Sequence, residues 1–180
     1  MGLISVKATR LEHAAPLPGD DIVARPDVTM DRAFTVDAAP SVVWPWIVQL
    51  GKQRAGWYFP RSVELFIPKK RRGSRTIDAR FQDLGVGDVI PDYGGTGAYF
   101  EVAQIDAGRL LVYRSTRGNT NLSWAIRLTP SEGQKTRLHF RLILGPVKRK
   151  RLAEVAGGFF DYTTILGLAA GLQERVRRPG

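Results

Sequence analysis

The chain contains no cysteine and only two histidines among its 180 residues, and these shortages exclude several classes of chemistry. Without cysteine there are no disulfides, no thiolate metal sites and no cysteine nucleophiles. His13 and His139 belong to no H-E-x-x-H motif and to no tight cluster with aspartate or glutamate. The sequence therefore predicts no metal and no cofactor, and neither histidine is a good candidate for a catalytic base.

Long apolar runs are also missing. No stretch approaches the roughly 18 apolar residues of a transmembrane helix, and the N-terminus lacks an apolar segment of signal-peptide length. We therefore expect a cytoplasmic protein. The composition, with 43% hydrophobic and 24% charged residues, is that of a globular protein, and 180 residues are most simply explained by one domain.

Acidic residues are in deficit, with 17 against 27 basic residues and a net charge of +10. The basic excess forms three blocks: Lys69 to Arg72 with Arg75 and Arg80, Lys148 to Arg151, and Arg175 with Arg177 and Arg178. Such blocks attract anionic lipid headgroups or nucleic acid, and they also occur as plain solvated surface. The blocks near residues 70 and 149 contain no aromatic residue for base stacking. A weak membrane or nucleic-acid contact is thus a secondary partner prediction.

The order of patterns along the chain predicts an N-terminal arm followed by one domain. Residues 1–30 contain scattered charges and three prolines, which indicates an extended arm, and residues 31–180 form the domain. Residues 32–36 read as a first strand. Two short helices follow, one starting at Pro40 and ending before Gly51, the other over 60–67 with an apolar face of Val63, Phe66 and Ile67.

The second half of the chain predicts an antiparallel sheet and a long helix. Five strands separated by turn residues are predicted at 88–91, 97–106, 109–116, 121–130 and 135–145. Apolar and polar residues alternate in the last of these strands, which predicts one buried face and one face, carrying His139, in solvent. Residues 148–178 read as a single helix. The fold class is therefore α+β: a curved antiparallel sheet of about six to seven strands wrapped around a long C-terminal helix.

Several motifs resemble those of a known superfamily. The segment from Ala39 to Gln49 follows the pattern A-P-x-x-V-W-x-W-x-x-Q, and Arg54-Ala55-Gly56-Trp57-Tyr58 comes next. A Gly87-Asp88 step, Trp124 with Leu128, and Thr136-Arg137-Leu138 complete the series. In this order and spacing the motifs resemble bacterial members of the SRPBCC superfamily, over roughly residues 32–178. The resemblance implies the helix-grip, or START-like, fold and an internal cavity for lipids, polyketides or other bulky apolar ligands.

Aromatic residues from distant parts of the chain supply a candidate wall for that cavity. An apolar pocket with few polar groups is the usual form of a small-molecule site. The predicted site binds an apolar or amphipathic molecule between the sheet and the C-terminal helix. Its lining residues are Trp57, Tyr58, Phe100, Trp124, Phe140, Phe159 and Tyr162.

Two other functions stay open at this point. A polyketide cyclase or aromatase would need an acid or base in the pocket, for which Tyr58, Tyr99 and Glu101 are candidates, but catalysis is not evident. Many similar proteins carry an acidic and a basic residue in the middle of the C-terminal helix, where this chain has Thr163-Thr164. The second alternative is a basic adaptor that docks on a membrane or a ribonucleoprotein through residues 69–75 and 148–151.

Overall fold

A computed structural model describes residues 4–177. A short helix α1 (Arg10–Ala14) precedes strand β1 (Val28–Val36), and helices α2 (Pro40–Val48) and α3 (Arg61–Glu64) follow it. Five further strands come next: β2 (Val89–Pro91), β3 (Tyr99–Asp106), β4 (Leu110–Arg117), β5 (Thr120–Ser131) and β6 (Lys135–Gly145). The C-terminal helix, Lys150–Val176, consists of α4 (Lys150–Leu152), a π-helical segment (Ala153–Gly157) and α5 (Gly158–Val176).

The six strands form one antiparallel sheet in the order β1-β6-β5-β4-β3-β2. The first strand therefore lies beside the last, with Val28 opposite Leu144 and Val36 opposite Thr136. Helix α5 contacts β1 more extensively than any other strand. This arrangement confirms the predicted α+β helix-grip class, although β1 begins at Val28 and not at residue 32.

Helix α2 begins at Pro40, as the sequence predicts, because a proline in the first turn loses no intrahelical hydrogen bond. Val43, Trp46 and Ile47 are buried, whereas Val42, which the apolar spacing also placed on this face, is 44% exposed. The Trp46 ring contacts Tyr58 edge-on, with centroids 5.6 Å apart. Helix α2 thus closes one end of the core that the sheet and α5 share.

Two glycines let α5 approach the segment before α3 closely. A Cβ at Gly167 would lie 2.7 Å from the Phe59 ring, and one at Gly171 would lie 2.6 Å from the Tyr58 carbonyl carbon. Neither contact is possible for a larger residue without movement. These glycines lower helix propensity by about 1 kcal/mol each relative to alanine, and they allow the chain after Trp57 to pack directly on the helix.

The apolar face predicted for the second short helix is wrong. Val63 and Phe66 are exposed, Phe66 to 90%, and the buried residue of α3 is Glu64. Its carboxylate accepts hydrogen bonds from Arg175, 2.9 Å away, and from Arg75. The Arg175 side chain is fully buried on α5 and also donates to the carbonyl oxygen of Ser74. A buried ion pair, and not apolar packing, holds this segment on the helix.

The prediction that one sheet face lies in solvent is also wrong at β1 and β6. The N-terminal segment covers that outer face, and two of its own residues, Val6 and Leu17, are buried. His139 is 5% exposed and contacts the Asp31 carboxylate at 2.6 Å, and Arg141 donates to the same carboxylate at 2.8 Å. Apolar and polar residues do alternate as predicted. The polar residues His139 and Arg141 of β6 are buried because the N-terminal segment packs over them.

Candidate functional site

Four of the seven predicted site residues form one aromatic cluster on the inner face of the sheet. Trp124 on β5 stacks on Trp57 and on Phe140, with centroids 6.2 Å apart in both pairs. Phe100 on β3 packs against Trp124 at 5.6 Å. Tyr113, which the sequence did not single out, completes the cluster because register places it directly opposite Trp124.

Trp57 occupies the space between the sheet and the C-terminal helix. Its indole Nε1–H donates to the carbonyl oxygen of Thr164 on α5, 3.2 Å away, while its ring faces Trp124 on the sheet. The indole thus lies between the sheet and α5, where the sequence predicts the ligand cavity.

A small cavity of about 40 Å³ remains beside this cluster. Trp57, Phe100, Tyr113 and Trp124 form its aromatic wall, and Lys52, Asp92 and Tyr93 lie on its polar side. The Lys52 ammonium donates to the Asp92 carbonyl oxygen at 3.1 Å. A second cation, Arg117, pairs with the Asp92 carboxylate and lies 5.2 Å from the centre of the Phe100 ring. The site is therefore apolar inside and charged at one end.

The other three predicted site residues lie elsewhere. Tyr58 is buried against Trp46, and its hydroxyl donates to the Trp46 carbonyl oxygen at 2.9 Å. Phe159 and Tyr162 are 70% and 39% exposed on the helix, outside the cluster of stacked rings. Their contact with a ligand stays a prediction.

The three candidate acid–base residues do not meet at this site. Burial raises the pKa of the Tyr58 hydroxyl far above its ordinary value, so the group is neutral at physiological pH. Glu101 faces the outer side of the sheet, where Arg114 donates to it at 2.5 Å and lowers its pKa. Tyr99 also lies along the outer face, two residues before Glu101 on the same strand.

An acid–base pair that sequence reasoning missed lies between β1 and α5. Arg32 Nε approaches Asp161 Oδ2 to 2.9 Å, and the Arg32 side chain also donates to the Gly158 carbonyl oxygen. Burial raises the pKa of Asp161 to about 6, and the charge of Arg32 opposes this only in part. Asp161 lies two residues before Thr163, so this helix does carry an acidic group, about half a turn before the Thr163-Thr164 pair. The packing of α5 on β1 brings Arg32 into contact with Asp161.

A wider cleft, about 610 Å³, lies on the opposite side of the sheet. It separates the N-terminal segment at Gly19 and Ile22 from the outer faces of β3, β4 and β5. Its polar groups bind one another, as Glu101 does Arg114 and Thr116 does Asn121. Tyr99 is the one aromatic residue among those that line this cleft, so the cleft lacks the stacked aromatic wall of the inner cluster. We therefore assign the candidate site to the inner cluster.

Metal binding and membrane insertion are two other possible properties of the described residues. Residues 4–177 contain no group of three or more histidine or acidic side chains placed to hold a metal ion. One helix in this range, Lys150–Val176, has the length and hydropathy of a membrane span. The second half of that helix is the core helix of the domain, because Ile165, Leu168 and Leu172 are buried against the sheet.

Comparison with solved structures finds bacterial proteins of similar architecture and low sequence identity. MLL2253 from Mesorhizobium loti is 15% identical, with a TM-score of 0.50 over 82% of this chain and 98% of that protein. CV1439 from Chromobacterium violaceum is 13% identical, with a TM-score of 0.48 over 81% and 97% of the two chains. CalU16 from Micromonospora echinospora is 17% identical, with a TM-score of 0.46 over 83% and 84%.

No protein-family profile and no curated protein sequence matches the chain. At 15% identity the likeness to MLL2253 shows the fold alone. The observed fold agrees with the helix-grip architecture that the motif series from Ala39 to Leu138 implies.

Proposed function

We propose that the chain binds an apolar or amphipathic small molecule between the inner sheet face and helix α5. One observation carries the proposal. Trp57, Phe100 and Trp124 come from three separate elements, contact one another and are each only half-buried beside a cavity. Covering apolar surface releases about 25 cal/mol per Å², so a ligand that completes the burial of these rings is bound favourably.

A ligand of ordinary size requires the indole of Trp57 to move. The cavity of about 40 Å³ holds little more than water, whereas sites for drug-sized ligands enclose about 300 Å³ or more. One hydrogen bond, from Nε1 to the Thr164 carbonyl, joins the indole to the helix. Such a bond contributes only about 0.5–1.5 kcal/mol net. Rotation of Trp57 away from Trp124 is therefore an accessible route to a larger cavity.

The charged end of the site favours an amphipathic ligand. The Lys52 ammonium has three N–H donors, and one of them is used by the Asp92 carbonyl oxygen. The others are available to a carboxylate, phosphate or hydroxyl group at the end of an apolar body. Lipids and polyketides, the ligand classes that the motif resemblance implies, combine an apolar body with such groups.

Titration with the neutral dye N-phenyl-1-naphthylamine tests this proposal. We expect dye emission to rise on binding and tryptophan emission to fall, because Trp57 and Trp124 form the wall. Phe100→Ala removes part of the wall and should weaken dye binding about tenfold, since half-burying a phenyl ring is worth roughly 1.4 kcal/mol. Phe66→Ala is the matched control, because Phe66 is 90% exposed and remote from the cluster.

A parent protein that binds no dye would contradict the proposal. Equal dye affinity in the parent and in folded Phe100→Ala would also contradict it, because the dye would then bind elsewhere. Equal losses in Phe100→Ala and Phe66→Ala would point to general surface adsorption.

A further inference from the structure

The first half of the C-terminal helix exposes an apolar surface that nothing in the described chain covers. Val155, Phe159 and Phe160 are exposed to 75%, 70% and 69%, and Leu152 to 56%. The apolar side chains of helix α5 become buried only from Ile165 onward. An exposed run of large apolar side chains in a folded domain typically marks an interaction surface.

The same segment carries a basic cluster. Lys148, Arg149, Lys150 and Arg151 are all exposed and directly precede Leu152. None of the four forms an ion pair within residues 4–177, whereas Arg75, Arg137, Arg141 and Arg175 each pair with an acidic side chain. Glu154 is the one acidic residue between Arg151 and Phe160. Four cations and four exposed apolar side chains thus lie within the 13 consecutive residues Lys148–Phe160.

We propose that the segment Lys148–Phe160, here called the basic–apolar segment, docks the domain on an anionic lipid bilayer surface. Helices with basic residues beside exposed phenylalanine and leucine bind at the headgroup boundary, where apolar side chains enter the acyl region and cations meet anionic headgroups. The proposal is independent of the internal ligand site, since none of these residues lines the cavity beside Trp57.

Surface docking fits the structure better than membrane spanning does. The helix from Ile165 onward is fixed in the core, and Arg175 near its end is buried in its ion pair with Glu64. The exposed portion before Ile165 covers about 15 residues and hence roughly 22 Å. A bilayer core is about 30 Å thick, so this portion is too short to cross it while the remainder stays packed.

Charge also argues against other occupants of this surface. A symmetric dimer formed by this segment would bring two sets of four cations together, and like charges at an interface oppose association. Nucleic acid would satisfy the cations and stack on Phe159 or Phe160. It would gain little from Leu152 and Val155, which have no aromatic face. A lipid surface satisfies both the cations and all four apolar side chains.

Vesicle sedimentation tests the proposal with the full chain. We expect binding to vesicles of phosphatidylcholine with phosphatidylglycerol, and little binding to vesicles of phosphatidylcholine alone. Replacing Lys148, Lys150 and Arg151 with glutamine should weaken binding about a hundredfold, at roughly tenfold for each 1.4 kcal/mol and about 1 kcal/mol per cation. Replacing Lys69, Lys70 and Arg71 with glutamine removes the same charge from another exposed block and is the matched control. The affinity of the control variant for anionic vesicles should fall by less than about tenfold.

The apolar side chains are tested separately. Phe159→Ser with Phe160→Ser should lower vesicle affinity about a hundredfold, because each buried phenyl ring contributes roughly a factor of ten or more. Phe66→Ser is the control. These side chains are exposed, so circular dichroism should show an unchanged fold in every variant.

Three results would overturn the proposal. The first is absence of binding to anionic vesicles. The second is equal loss in the glutamine variants of both basic blocks, which would indicate net charge without a defined surface. The third is RNA binding that is stronger than vesicle binding and is lost in the same variants, which would assign the segment to nucleic acid.

Discussion

The two faces of the sheet are both buried at β1 and β6, but by different interactions. On the inner face, Phe34 of β1 stacks on Phe140 of β6 at 5.5 Å beneath helix α5. On the outer face, Asp31 of β1 binds His139 and Arg141 of β6 beneath the N-terminal segment. Neighbouring residues on the same two strands thus take part in apolar packing on one side and in an ion network on the other.

Helix α5 and the N-terminal segment are held on the sheet by different kinds of interaction. Apolar packing is non-directional and scales with the area removed from water. The ion network is directional: Arg141 also donates to the carbonyl oxygens of Glu12, His13 and Ala15, and so fixes the N-terminal segment in one register. Burial alone would raise the pKa of Asp31, but its hydrogen bonds to His139 and Arg141 outweigh that effect and lower the pKa. The carboxylate is therefore charged and must keep its partners.

The largest effect is expected on the inner side. Trp46→Ala removes a buried ring that contacts Tyr58 and should lower the free energy of unfolding by about 3–5 kcal/mol. Urea denaturation measures this loss. Phe66→Ala is the exposed aromatic control, and its unfolding free energy should change by no more than about 0.5 kcal/mol. A loss as small as that of the control would contradict the packing of α2 described above.

A smaller loss is expected on the outer side. Arg141→Ala leaves the buried Asp31 carboxylate with the two histidines His139 and His13, so we expect a loss of about 3 kcal/mol, the low end for a broken buried ion pair. Trypsin should cleave the N-terminal segment at Arg25 or Arg10 sooner than in the parent. Arg127→Ala, on the same face of the neighbouring strand, is the control. An unchanged cleavage rate in Arg141→Ala would mean that Val6 and Leu17 hold the segment without the ion network.

The difference between the two faces also explains what the sequence could predict. Alternation in residues 135–145 and the proline at position 40 were sufficient for the strand and for helix α2, because both depend on local periodicity. The burial of His139 and Glu64 was missed, because each depends on a partner far along the chain: Asp31 in one case, Arg175 in the other. From the sequence alone, a charged residue is predicted to be exposed unless the partner with which it pairs is known.

The candidate site follows the same rule. Stacking of Trp57, Phe100 and Trp124 agrees with the convergence of aromatics that the element order implies. Their filling of the cavity was not predictable, because it depends on the rotamer of Trp57 and on its hydrogen bond to Thr164. Arg32 and Asp161 lie in separate elements with no common motif, so only the packing of α5 on β1 reveals their contact.

The Arg32–Asp161 contact is an exception to the apolar character of the inner face. The smallest expected effect concerns this contact: a change in the free energy of unfolding that depends on pH. Burial raises the pKa of Asp161 to about 6, against about 3.9 in an unfolded chain. Between these values the folded state binds a proton that the unfolded state has lost. The free energy of unfolding therefore falls as the pH rises from about 4 to about 6.

Asp161→Asn removes this titration. Relative to the variant, the parent should lose on the order of 2 kcal/mol of unfolding free energy between pH 4 and pH 7, as about 1.4 kcal/mol per pKa unit implies. Urea denaturation across that range measures the difference, and any constant cost of altering the Arg32 contact cancels in the comparison. Asp37→Asn is the control of opposite sign, because hydrogen bonds from Arg177 and Lys135 lower the pKa of Asp37. Its parent should gain stability relative to the variant as the pH rises through the acidic range. Parallel pH curves for the parent and Asp161→Asn would show that Asp161 is solvated, and the inner face would then contain no buried acid.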